Sequence, residues 1–98
     1  VEGNSEYRWV VDPIDGTASF ARGVPLFGTL IGLEKHGEPI AGAAHMPAMN
    51  ETISAVLGEG VLYQGNESAN VSNTESIEQS LICTTSYDYY KQTNSQSL

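Results

Sequence analysis

The sequence predicts an α+β chain made mostly of antiparallel strands, with one short helical stretch near its start. Short runs of β-branched, aromatic and small apolar residues recur between Tyr7 and Gln64, and breaks that mostly contain glycine separate them. One of these breaks, Lys35-His36-Gly37-Glu38, joins two such runs closely enough to form a β-hairpin. The sequence contains no heptad and no internal repeat.

Tyr7-Arg8-Trp9-Val10-Val11 reads as a strand that ends at Asp12, because Pro13 extends the residue before it and brings no ladder donor. Residues 17–22 then predict a helical stretch of at most two turns. Thr17 is its cap or first-turn residue, and Gly23-Val24-Pro25 breaks it. Phe27 to Glu34 and Pro39 to Met46 form the hairpin strands, and their small apolar residues predict that both are largely buried. Thr52 to Leu57 gives a third strand of this meander and Val61 to Gln64 a fourth, with Gly58-Glu59-Gly60 turning between them and Gly65-Asn66 ending it. Ser76 to Gln79 reads as a brief helix capped by Asn73 or Thr74, Leu81 to Thr85 as a closing strand, and residues 86–98 as a polar tail.

With 98 residues, the chain has room for one small domain at most. Its 12 acidic residues against 4 basic ones give a net charge of −8, which opposes binding to nucleic acid, since that needs a positive face. No apolar run approaches the roughly 20 residues that span a bilayer, and no signal peptide opens the chain, so a cytoplasmic location without membrane contact is expected. Cys83 has no second cysteine to pair with, and its Leu81-Ile82 flank predicts a small buried side chain. The chain starts at Val1 without an initiator methionine and ends in the polar stretch Lys91 to Ser97, which reads as a segment of a longer protein.

The segment with chemical content is Asp12-Pro13-Ile14-Asp15-Gly16-Thr17. Proline sets one bend and glycine permits another, so two carboxylates three positions apart can point into one pocket. Held close, they repel, and such a pair shares a proton or binds a cation. Oxygen ligands without a nearby histidine or cysteine favour Mg²⁺ over zinc, and the Ile14 carbonyl can add a further oxygen. Gly16 and Thr17 follow at a possible helix start, where free N–H groups suit a phosphate. Adjoining metal and anion sites describe phosphate-ester hydrolysis. Asp-Gly is also an ordinary turn dipeptide, and on spacing alone the structural reading is the stronger one.

The longer run Trp9-Val10-Val11-Asp12-Pro13-Ile14-Asp15-Gly16-Thr17, followed by Ser19-Phe20, resembles the signature of the inositol monophosphatase family. The likeness continues through residues 23–31, Gly37-Glu38-Pro39, the turn from Pro47 to Thr52, and Gly58-Glu59-Gly60, to about Thr85. The resemblance implies a layered α/β sandwich of which this chain supplies much of the N-terminal antiparallel sheet, a partial domain over residues 1–98. It implies Mg²⁺ as cofactor, with Asp12, Ile14 and Asp15 as metal ligands, Gly16 and Thr17 as phosphate contacts, and the Thr17 hydroxyl beside the attacking water. Asp12, Asp15 and Thr17 thus become the catalytic candidates. It also implies a small phosphorylated metabolite as substrate and a homodimer.

Within the family, Ser19-Phe20 and residues 23–31 look most like the histidinol-phosphatase branch, so histidinol phosphate is the first expected substrate and inositol monophosphate the alternative. The family's upstream Gly-Glu-Glu and downstream Trp-Asp segments, which bring further metal-binding carboxylates, have no match here. Glu2 and Glu6 lie too near Asp12 to replace the first and read as solvated charges. The other reading is therefore an inactive chain that keeps only a cation or phosphate pocket. His45 reads as a hydrogen-bonded structural histidine and His36 as an exposed turn residue.

Overall fold

The computed structural model describes residues 3–84. Its strands form one antiparallel sheet in chain order: β1 (Tyr7–Asp15), β2 (Gly28–Lys35), β3 (Glu38–Met46), β4 (Glu51–Val56), β5 (Gly60–Tyr63) and β6 (Glu67–Ser68). One helix, α1 (Thr17–Ala21), lies between β1 and β2, and a 3-10 turn covers Ile77–Gln79. The hairpin pairs Lys35 with Glu38, and His36 and Gly37 turn between them at φ 52° and 81°, the left-handed pair that a two-residue hairpin turn requires. The predicted meander is present, and β6, a two-residue addition after Gly65, goes beyond it.

The first strand does not stop at Asp12. It runs through Pro13 to Asp15, and its pairing with β2 shifts by one residue between Asp12 and Asp15. Two circumstances let a proline stay in this strand: β1 is an edge of the sheet, and Pro13 falls within the irregularity, where a ladder donor is not needed. At its other end, Arg8 is paired in register with Glu34, and its guanidinium meets that carboxylate at 2.6 Å.

Burial departs from expectation. Gly28 is the only buried position among the described residues, and β2 and β3 are otherwise half-buried or exposed. A single sheet cannot bury either of its own faces, and apolar residues stand on both. Trp9, Val11 and Ile31 are on one face, and Val10, Leu30 and Ile53 on the other. The strand expected over Leu81–Thr85 does not form at 81–84, and Thr85 lies outside the described residues, as does the tail 86–98. Leu81 and Ile82 are exposed and so is Cys83, because nothing described packs over this stretch. Ser76, rather than Asn73 or Thr74, occupies the N-cap position of the 3-10 turn, without a side-chain cap hydrogen bond, and α1 stops at Ala21, one residue short of Arg22. No helix of the described residues is long and apolar enough to cross a membrane.

Candidate functional site

The motif occupies the end of β1 and the start of α1. In a regular strand, residues three apart point to opposite faces. Asp12 and Asp15 escape this rule through the bulge. Asp12 opposes Leu30 and Asp15 opposes Gly28, so three steps along β1 correspond to two along β2. Leu30 and Gly28 share a face, and opposed residues share it with them, so both aspartates stand on one side of the sheet. Both are exposed, and Ile14 between them is half-buried. From the neighbouring strand, the Thr29 hydroxyl donates a hydrogen bond to the Pro13 carbonyl at 2.9 Å, inside the bulge.

Gly16 is the N-cap of α1, with φ 76° and ψ 41°, so Thr17 is the first helical residue. A Cβ on Gly16 would lie 2.8 Å from the Leu26 carbonyl oxygen and 3.4 Å from the Phe27 Cα. The chain thus passes tightly against the segment that enters β2. The Phe20 and Phe27 rings meet edge to face across the same junction, with centroids 5.0 Å apart. The Phe20 N–H closes the first helical bond on the Gly16 carbonyl at 3.0 Å. The amides of Thr17, Ala18 and Ser19 precede it and have no intrahelical acceptor.

Two carboxylates on one face, with the Ile14 carbonyl between them in sequence, make an all-oxygen donor set suited to a hard divalent cation such as Mg²⁺. Among the described residues, no group of three or more His, Cys, Asp and Glu side chains comes together. The chemistry of these oxygen donors suits Mg²⁺, and two carboxylates would fill only part of its coordination sphere, which ordinarily includes several waters.

The remaining candidates lie elsewhere. Glu6 is exposed, as expected, and is also paired: its carboxylate is 3.0 Å from the His36 Nε2 and 3.9 Å from the Lys35 ammonium, at the end of β1 away from the motif. Its carbonyl also accepts the His36 amide at 2.9 Å, so exposed His36 fastens the turn to β1. Glu2 lies outside the described residues. His45 opposes Thr29 in register, on the face opposite the aspartates, and its Nδ1 is 2.8 Å from the Thr52 hydroxyl.

Sequence reasoning missed both Thr29 and a Glu51–Tyr63 pair. Each depends on cross-strand register, which local sequence does not display. The Tyr63 hydroxyl donates to Glu51 at 3.1 Å, and this bond raises the phenol above its ordinary value of 10.0, helped by desolvation and by the negative charges of Glu51 and Glu67, with Gln64 opposing. With the folded value raised, the contribution is fully present below the ordinary value and is lost as pH rises through the folded one. Glu51→Gln should move the Tyr63 titration down toward 10.0, followed by the tyrosine Cζ resonance in NMR. An unmoved titration would remove Glu51 as the cause.

An antiparallel meander has an edge strand that carries two aspartates ahead of a tight glycine turn, and comparison with known proteins gives the class. The model of the inositol monophosphatase family matches residues 1–98. The chain belongs to that family. It is 48% identical over 61 residues to an inositol-1-monophosphatase of Mesorhizobium japonicum, covering 61% of this chain and 23% of that protein. It is 46% identical over 59 residues to a histidinol-phosphatase of Chlorobaculum parvum, covering 60% and 23%. The crystal structure of the extragenic suppressor protein SuhB from Bartonella henselae superposes with a TM-score of 0.69 at 35% identity, covering 72% of this chain and 28% of that one. An inositol monophosphatase from Zymomonas mobilis gives 0.68 at 33% identity, covering 74% and 28%. The sheet is thus part of the inositol-monophosphatase fold, and the chain spans about a quarter of the length of these relatives.

Proposed function

We propose that residues 1–98 are part of the N-terminal domain of a Mg²⁺-dependent phosphomonoesterase, and that Asp12, Ile14, Asp15, Gly16 and Thr17 are its metal and phosphate residues. The carrying observation is the bulge that puts both aspartates on one face immediately before the Gly16 turn. The Asp12 and Asp15 carboxylates and the Ile14 carbonyl would hold the ion. Bound Mg²⁺ supplies positive charge against phosphate oxygens and acidifies water at neutral pH. Gly16, having no side chain, lets a phosphate come close to the backbone, and the Thr17 hydroxyl orients the attacking water. The substrate is a small phosphorylated metabolite. The whole enzyme works as a cytoplasmic homodimer.

Histidinol phosphate is the first candidate substrate, which would place the enzyme in histidine biosynthesis. It rests on the likeness of residues 19–31 to the histidinol-phosphatase branch and on the Chlorobaculum relative. Inositol monophosphate is the alternative, supported equally by the Mesorhizobium relative. Phosphate release from each, with and without Mg²⁺, separates them in the full-length parent protein. The preferred substrate should turn over only with Mg²⁺, and faster release from inositol monophosphate would overturn the histidinol assignment. The 98-residue chain assayed alone should release no phosphate, because the described residues bring only two carboxylates together at the motif and a two-metal site needs more. Turnover by the chain alone would show that two suffice.

A further inference from the structure

We infer that Thr29 is a positioning residue for the Asp12 and Asp15 pair: by holding the Pro13 carbonyl, its hydroxyl fixes the β-bulge that keeps both carboxylates on one face. This rests on the reading of those carboxylates as Mg²⁺ ligands. A bulge leaves one residue out of the ladder, so its polar groups need another partner. Pro13 has no N–H, and its carbonyl is its only means of attachment. Thr29 meets that carbonyl at 2.9 Å from the facing strand, between the two residues, Gly28 and Leu30, that set the register of the aspartates. As a β-branched residue, Thr29 also has few rotamers in which to lose the contact. Moving the irregularity by one position would turn one aspartate to the other face, because side chains alternate along a strand. The Thr29 hydroxyl opposes that movement without touching the ion.

The test is Mg²⁺ binding by isothermal titration calorimetry in the full-length parent, comparing wild type with Thr29→Val, Thr29→Ser, Thr29→Ala and Asp15→Asn. Valine keeps the shape and deletes the hydroxyl. Its dissociation constant should rise by about three- to tenfold, the effect of one neutral hydrogen bond, and serine should restore the wild-type value to within about twofold. In the phosphatase assay, the half-saturating Mg²⁺ concentration should rise with valine while kcat at saturating Mg²⁺ stays close to wild type. If valine prevents folding, the contrast between serine and alanine carries the same test. Wild-type Mg²⁺ affinity in the hydroxyl-free variants, even with lowered urea midpoints, would overturn the role of Thr29, while weakened binding in Asp15→Asn would leave the metal assignment intact. Wild-type affinity in Asp15→Asn would instead overturn the metal reading itself.

Discussion

Asp15→Asn in the full-length parent protein should weaken Mg²⁺ binding by at least about tenfold and up to about a hundredfold. Changes to groups that merely support a ligand already cost that much, and Asp15 is proposed as a ligand. Asparagine keeps the size and the turn preference of aspartate, so neither the bulge nor the approach to Gly16 should suffer. It removes one of two like charges on the same face, so stability without metal should hold or rise slightly. Calorimetric titration with Mg²⁺ and a urea unfolding curve without it read the two halves of this expectation separately. Unchanged affinity would return Asp15-Gly16 to an ordinary turn, whereas a fall in the urea midpoint would show that the carboxylate supports the fold.

Gly16→Ala should be the most destabilising single substitution in the motif, at about 2–5 kcal/mol. The left-handed backbone at φ 76° costs an L side chain about 1–2 kcal/mol. The new Cβ would also lie 2.8 Å from a backbone oxygen of Leu26, which cannot rotate aside as a side chain can, and forced repacking of that kind costs about 1–3 kcal/mol. Gly23→Ala is the matched control. Its φ of 70° carries the first penalty, and nothing lies within 4 Å to add the second. Urea midpoints for the two variants should therefore differ, with Gly23→Ala the milder. Equal losses would mean that the segment entering β2 yields to the alanine without cost.

The order from β2 to β5 was legible because its determinants are local, whereas the place of β1 beside β2 was not. His36-Gly37 and the later glycine breaks announce hairpins wherever the surrounding register would have to be. The residue types of the motif were legible for the same reason, since carboxylates, a proline and a glycine can be read one by one. Its convergence was expected from the bends at Pro13 and Gly16, but the register slip that produces it was not. A spacing of three puts side chains on opposite faces of a strand, and only the slip against Leu30 and Gly28 reverses that. The proline argument that ended β1 at Asp12 holds inside a sheet, and β1 is an edge. The expectation of buried strands, and of a buried Cys83, took apolar sequence as evidence of a core within the chain. Apolar residues on alternate sides of β2 and β3 report that both faces suit burial, but one layer of sheet cannot provide it.

Every strand neighbour in the sheet is also a neighbour in sequence, and this ranks the closures by chain entropy. The turn at His36-Gly37 and those after Met46, Val56 and Tyr63 bring their strands together at little cost, whereas β1 reaches β2 only across residues 16–27, the longest connection between described strands. That connection holds Gly16, Thr17 and the Phe20–Phe27 contact. The strand that carries the two aspartates is thus the one whose docking orders the most chain. The aromatic contact and the tight pass at Leu26 shorten the effective span by folding the connection back on itself. Residues beside the aspartates thereby offset the entropy of bringing them to the sheet.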